Sequence, residues 1–191
     1  TANGGKDTAE IKFQVTVPAD GGTGPTAPLF FQHADGSMGR WLMRAEKLSS
    51  AQYLDPAKPE TGRWNVVAVA DFDGDGGPDL LLQEEVGTMV VWFMSGASLS
   101  AGQVLNPSET GELNWRVVAA ADMNGDTKTD IVFEHTDGTL AVWLMNGASL
   151  IDGILLEPSK NFDGGWSAVG AGAFNGDGQA DLVFQHSDGS L

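Results

Sequence analysis

One distance constrains this chain more than any other feature: the sequence returns on itself every 51 residues. Trp64, Trp115 and Trp166 stand at that spacing, as do Trp41, Trp92 and Trp143, and Asp79, Asp130 and Asp181. Leu29, Leu80, Ile131 and Leu182 share one phase, and Gly36, Gly87, Gly138 and Gly189 share another, with no insertion to break the register. A repeat of this size means one supersecondary unit, copied and stacked so that neighbours bury each other.

The middle copy shows what the unit contains. An apolar run, Trp115 to Ala121, leads into the loop DMNGDTKTD (Asp122 to Asp130), and a second run, Ile131 to Glu134, follows directly. HTDGT (His135 to Thr139) carries Asp-Gly turn chemistry, Leu140 to Met145 forms a third run ending at Asn146-Gly147, and a weaker fourth strand lies near Ile154–Glu157. Short β-type segments separated by Gly, Asp and Asn, with no helical stretch of useful length, predict an all-β fold of four-stranded blades, a β-propeller.

The phase places the later strands of a first blade in residues 29–63, a second blade in 64–114, a third in 115–165, and the first half of a fourth in 166–191. Residues 1–28 admit two readings. FQVTVPA (Phe13 to Ala19) is the first strand of a degenerate first blade, with Asp20 matching Asp71; or IKFQVTV ends a preceding domain and Asp20 to Pro28 is a linker. About 3.5 blades fall short of the roughly 4 to 8 that close a ring. The expectation is a piece of a longer array, or a chain that completes its ring with further blades or copies of itself.

Three loops occupy one point of the repeat: DFDGDGGPD (Asp71 to Asp79), DMNGDTKTD (Asp122 to Asp130) and AFNGDGQAD (Ala173 to Asp181). Positions 1, 3, 5 and 9 carry oxygen side chains, except that Ala173 fills the first position of the third loop. A Gly at position 4 lets the loop turn them inward, and position 7 can add a carbonyl. Hard oxygen donors suit Ca²⁺ better than Zn²⁺, which favours His or Cys, or Mg²⁺, which keeps more water. An EF-hand is a poor match, because its Gly sits at position 6 and its bidentate Glu at position 12, where this chain has Leu82, Phe133 or Phe184. A structural ion is therefore expected rather than a sensor.

The pattern D-x-[DN]-G-D-G-x-x-D before a short apolar strand resembles the FG-GAP or VCBS repeats of integrin-α-like β-propellers, over Trp64 to Leu191 and the later strands of Leu29 to Arg63. In that family the loop joins the first two strands of a blade and binds Ca²⁺. The resemblance implies ligands at Asp71, Asp73, Asp75, the Gly77 carbonyl and Asp79, and at Asp122, Asn124, Asp126, the Lys128 carbonyl and Asp130. The third set is Asn175, Asp177, the Gln179 carbonyl and Asp181, weaker for want of its first carboxylate. Thr127 replaces a Gly and is uncomfortable at positive φ, so the second loop is expected to be strained or differently shaped. The stretch from Asp20 to Pro28 has lost the pattern, and no metal is expected there.

Charge agrees with a cation as partner. Lys and Arg number 10 against 26 Asp and Glu, a net charge of −16, which disfavours nucleic acid and anionic membrane. There are no cysteines, hence no disulfides and no thiolate metal site. No apolar run is long enough to span a membrane. Thr1 opens the sequence without a leader, as expected of a mature secreted form or an excised piece. Cytosolic calcium would leave such loops largely empty, which points to an extracellular, cell-surface or periplasmic setting.

His33, His135 and His186 share a slot that holds Glu84 in the remaining copy. A residue repeated in every blade is architectural before it is catalytic, so a structural or turn-capping role is expected. Trp41, Trp92 and Trp143 sit in WLM, WFM and WLM, where they either pack between blades or, if exposed on a rim, stack on sugar faces as in lectin-like members of the family. No nucleophile elbow, zincin motif, phosphate loop or catalytic carboxylate pair stands apart from the repeat, so a catalytic role for this region is unsupported. The functional expectation is a calcium-stabilised propeller module that binds glycans or extracellular proteins. Its rivals are an accessory or scaffold region of a polysaccharide-acting enzyme, and a self-assembling structural repeat.

Overall fold

A computed structural model describes residues 14–15, 27–44, 47–160, 164–177 and 179–191. Fourteen strands and no helix occur among them. They form four antiparallel sheets, each a meander in which consecutive strands pair. The first holds β1 (Gln14–Val15), β2 (Ala27–Gln32), β3 (Met38–Arg44) and β4 (Lys47–Tyr53); the second β5 (Trp64–Ala70), β6 (Asp79–Glu84), β7 (Met89–Ser95) and β8 (Ser98–Val104). The third holds β9 (Trp115–Ala121), β10 (Asp130–His135), β11 (Thr139–Asn146) and β12 (Ser149–Lys160), and the fourth β13 (Trp166–Gly172) and β14 (Asp181–His186).

This is the partial propeller that the repeat predicts. First strands lie against first strands, β5 against β9 and β9 against β13, as blades arranged around one axis require. Gln14 and Val15 pair with Phe30 and Leu29, so β1 takes the first-strand place in its sheet. Phe13, Ile11 to Lys12 and Asp20 to Thr26 lie outside the described residues.

Alternation decides what each blade buries. Along β6, Leu80 and Leu82 face the first blade, where they join Phe30, Met38, Val90 and Trp92 in one core. Leu81 faces the opposite way, into a second core with Phe72, Val91, Ile131, Phe133 and Met145. A third cluster of Ala119, Val132 and Val142 receives Ala171 and Leu182 from the last sheet. The second and third blades are thus buried on both faces, which is why their second and third strands read as continuous apolar runs rather than alternating ones.

The blades are also stitched through their backbones. Past the end of β4, the Asp55 amide donates to the Ala97 carbonyl at 2.9 Å and the Leu99 amide donates to the Asp55 carbonyl at 2.8 Å. Asn106 repeats this with Ala148 and Leu150, both at 2.9 Å. Within the sheets, Gln32 caps the next blade: its Nε2 donates to the Trp64 carbonyl at 2.7 Å and its Oε1 accepts the Val66 amide at 3.1 Å. In the same slot of the third blade stands Glu134, buried, and the Arg116 guanidinium donates to it while also reaching the Ala168 carbonyl of the fourth sheet at 3.3 Å.

The histidine slot is architectural in the structure. His135 and His186 pack on Trp115 and Trp166, with ring centroids 4.9 and 5.2 Å apart. Their Nδ1 atoms meet Asp137 at 2.8 Å and Asp188 at 2.9 Å, and His33 meets Asp35 at 3.1 Å. Each aspartate then accepts the amide two residues on, closing the hairpin turn.

Candidate metal centre

The first aspartate loop runs from the end of β5 to the start of β6. Gly74 and Gly76 adopt φ of +80° and +84°, a region that costs L-residues about 1–2 kcal/mol and glycine nothing. With those two turns the loop winds around its own carboxylates. Asp71 accepts the Gly74 amide at 2.7 Å on Oδ1 and the Gly76 amide at 2.9 Å on Oδ2. Asp73 accepts from Asp75 at 3.1 Å, and Asp75 from Gly77 at 2.6 Å. Gly77 has its own steric reason: a Cβ there would stand 2.9 Å from Asp75 Oδ1.

Asp71, Asp73 and Asp79 each offer a carboxylate oxygen, and these atoms all lie within 4.8 Å of one another. Asp79 is fully buried. Its Oδ2 accepts the Phe72 amide at 2.9 Å and its Oδ1 the Met94 amide at 2.8 Å. Burial pushes its carboxyl up to about 6 against the pull of those two amides, and the charges of Asp73 and Asp75 push the same way. Three carboxylates so close, one of them desolvated, repel one another without a cation. The donor set is all oxygen, which fits Ca²⁺.

The second loop keeps the same winding. Asp122 accepts from Gly125 at 2.7 Å and from Thr127 at 2.7 Å, Asn124 from Asp126 at 2.9 Å, and Asp126 from Lys128 at 2.9 Å. Buried Asp130 takes the Met123 and Met145 amides, both at 2.9 Å, and burial raises its carboxyl as well. Thr127 has φ +70°. The loop therefore keeps its shape and Thr127 carries the strain, which resolves the two outcomes the sequence left open.

In the third loop an amide stands among the acids. Asn175 Nδ2 donates to Asp177 at 2.9 Å and to Asp181 at 3.2 Å, and its Oδ1 accepts the Asp177 amide at 2.8 Å. Asp181 also accepts the Phe174 and Asn175 amides, and Asp177 accepts from Gln179. Neutral N–H donors here face carboxylates that a cation would otherwise neutralise. The loops touch one another too: the Thr129 hydroxyl donates to the Asp71 carbonyl. Of the three carboxylate groups, only that of the first loop gathers within 4.8 Å among the described residues.

The tryptophans proposed as ligand platforms divide. Trp92 is only 6% exposed, inside the core between the first two blades, and Trp143 packs on Phe133 with centroids 4.9 Å apart, against the next core. Trp92 is thus enclosed between blades, whereas Trp143 is half-buried and lines an open hollow of about 230 Å³ with Trp115, Ile154 and Leu155. Trp41, 42% exposed, stays available. Periodicity cannot separate these three, because the slot is identical and only what lies across from it differs.

Sequence reading missed the clefts at the other end of the blades. One, of about 340 Å³, lies between the second and third blades and includes Glu84, Glu109, Glu112, Trp115 and Arg116; its counterpart one blade earlier, about 640 Å³, includes His33, Lys58, Arg63 and Trp64. They arise where a hairpin turn of one blade meets the connection into the next, a juxtaposition no local pattern records.

A family model described as FG-GAP-like repeat matches residues 71–133 and again 122–184. Each match begins at an aspartate loop and ends in the second strand of the following blade. No curated protein matches the chain.

Proposed function

Since the chain belongs to the FG-GAP-like repeat family, we propose that it is a calcium-stabilised β-propeller module of a secreted or cell-surface protein, used to bind carbohydrate or protein. The observation that carries this reading is the convergence of Asp71, Asp73 and Asp79 within 4.8 Å, one of them buried. Asp75 and the Gly77 carbonyl complete the first donor set. Asp122, Asn124, Asp126, Asp130 and the Lys128 carbonyl form the second. Asn175, Asp177, Asp181 and the Gln179 carbonyl form a weaker third.

Bound calcium supplies the positive charge that crowded carboxylates lack. The chain's own residues do the rest. Asp71, Asp73 and Asp75 fix the winding of the loop, and Asp79 ties that loop to β7 through Met94. A site with a Kd of about 10⁻⁴ M would add about 1.4 kcal/mol of stability at about 1 mM calcium, a concentration met outside cells. The two inter-blade clefts and the Trp41 surface offer a partner both charged and aromatic contacts, which supports the binding half of the reading.

Thermal unfolding with calcium and with chelator, together with metal analysis of the purified protein, tests it. Calcium should raise the melting temperature and co-purify or titrate at two or more sites per chain. A melting temperature indifferent to chelator, in protein that holds no metal at millimolar calcium, would overturn it.

A further inference from the structure

The aspartate loops differ at one position that no carboxylate occupies. The residue just before the last aspartate is Pro78 in the first loop, Thr129 in the second and Ala180 in the third. Of these three side chains only threonine can donate a hydrogen bond. The Thr129 hydroxyl donates to the Asp71 carbonyl, 58 positions away along the chain and in the preceding blade. Both residues are half-buried, so water competes weakly for this bond.

Each partner is tied to a donor set. Asp71 opens the first loop, and its carboxylate accepts the Gly74 and Gly76 amides that wind that loop. Thr129 stands between Lys128, whose carbonyl is counted in the second set, and Asp130, which is buried and accepts the Met123 and Met145 amides. Phe72, next to Asp71, is buried in the core shared with the third blade, beside Phe133, Met145 and Ala148. The blade that carries the second loop therefore grips the opening of the first, through one apolar side chain and one hydrogen bond.

Resting on the calcium reading above, we propose that Thr129 couples the first two calcium sites, so that filling the second loop raises the affinity of the first. Thr129 is a positioning residue and touches no ion. Calcium held by Asp122, Asn124, Asp126 and Asp130 fixes the chain on either side of Thr129. The hydroxyl then holds the Asp71 carbonyl, and the first loop has less freedom to lose when it closes on its own ion. Such coupling is reciprocal, so calcium in the first loop favours the second by the same factor. One hydrogen bond of ordinary net strength sets that factor at about 2- to 10-fold. Ala180 offers no donor for a corresponding link from the third loop to the second.

Calcium titration of the whole chain, followed by the NMR signals of the Gly76 and Gly125 amides, tests this. Each amide hydrogen-bonds the first aspartate of its own loop, so the two sites are read separately. Asp126→Ala, which disables the second site, should raise the calcium concentration that half-fills the first loop by about 2- to 10-fold. Thr129→Val removes the hydroxyl but keeps charge and branching, so repulsion between the ions is unchanged. It should weaken the first loop by a similar factor, and adding Asp126→Ala to it should weaken that loop no further. A merely structural loss at Thr129 would instead multiply with that of Asp126→Ala. A first loop indifferent to Asp126→Ala, or losses that multiply in the double variant, would overturn the coupling and leave calcium binding standing. Gly76 and Gly125 signals that ignore millimolar calcium would overturn the calcium reading and the coupling with it.

Discussion

The Oδ1 of Asp79 accepts the backbone amide of Met94 at 2.8 Å, across the start of β6. Met94 lies two residues beyond Trp92, whose partner Leu80 begins the β6–β7 ladder, so a side chain takes up an amide where the ladder has ended. Asp130 does the same for Met145 at 2.9 Å. The ninth loop position thus has a structural duty independent of any ion.

Asp79→Ala should cost about 2–4 kcal/mol, because it leaves the Met94 and Phe72 amides buried without an acceptor. Urea denaturation in the presence of chelator isolates this from any metal contribution. A loss below about 0.5 kcal/mol would mean that other groups take up these amides.

Thr127→Gly should stabilise the protein by about 0.5–1 kcal/mol. It relieves the φ of +70° at a β-branched residue, less the greater freedom that glycine has in the unfolded chain. Chemical denaturation in chelator reads the difference directly.

Ala173→Asp should restore the carboxylate missing from the third loop and tighten calcium there by about tenfold, since ligand charge count tunes such sites. Calorimetric titration of the variant against the wild type checks this. Asp71→Asn should conversely weaken the first site.

Acid should unfold the protein partly through its hairpin turns. Thr139, Lys160 and His135 hydrogen-bond Asp137 and hold its carboxyl far below the usual range. Its folded value lies below its unfolded value, so its contribution is present above about pH 4 and is lost as pH falls below that. Asp35 and Asp188 are lowered in the same sense by Ser37 and Ser190. Asp137→Asn should lower stability at pH 7 and flatten its decline between about pH 4 and 2, measured by denaturation across that range.

Trp92→Ala should cost about 3–5 kcal/mol as a large-to-small change in a packed core. Trp41→Ala, at the same repeat position but exposed, should cost well under half as much. Thermal melts of the two variants compare them.

What was legible in the sequence is what local chemistry and periodicity govern. Apolar runs next to Asp-Gly and Asn-Gly turns set strands such as Ile131 to Glu134 and the hairpin at Asp137-Gly138, and the 51-residue phase set how many times the unit recurs. The loops around Asp71 and Asp122 were legible for the same reason: alternate oxygen side chains and a turning glycine lie within nine residues and need no distant partner. Gln32 capping the Trp64 strand, Arg116 reaching both Glu134 and Ala168, and the clefts beside Trp64 and Trp115 join residues some 18 to 52 positions apart or more, and no short-range pattern encodes them.

The sequence by itself determined the repeating unit, its strands and the crowding of carboxylates in its loops, since these follow from neighbours along the chain. Only the tertiary structure decided how far each of three equivalent tryptophans meets solvent and which aspartates are sealed from it. Burial depends on what the adjacent blade places across the interface, and identical slots diverge wherever that neighbour differs.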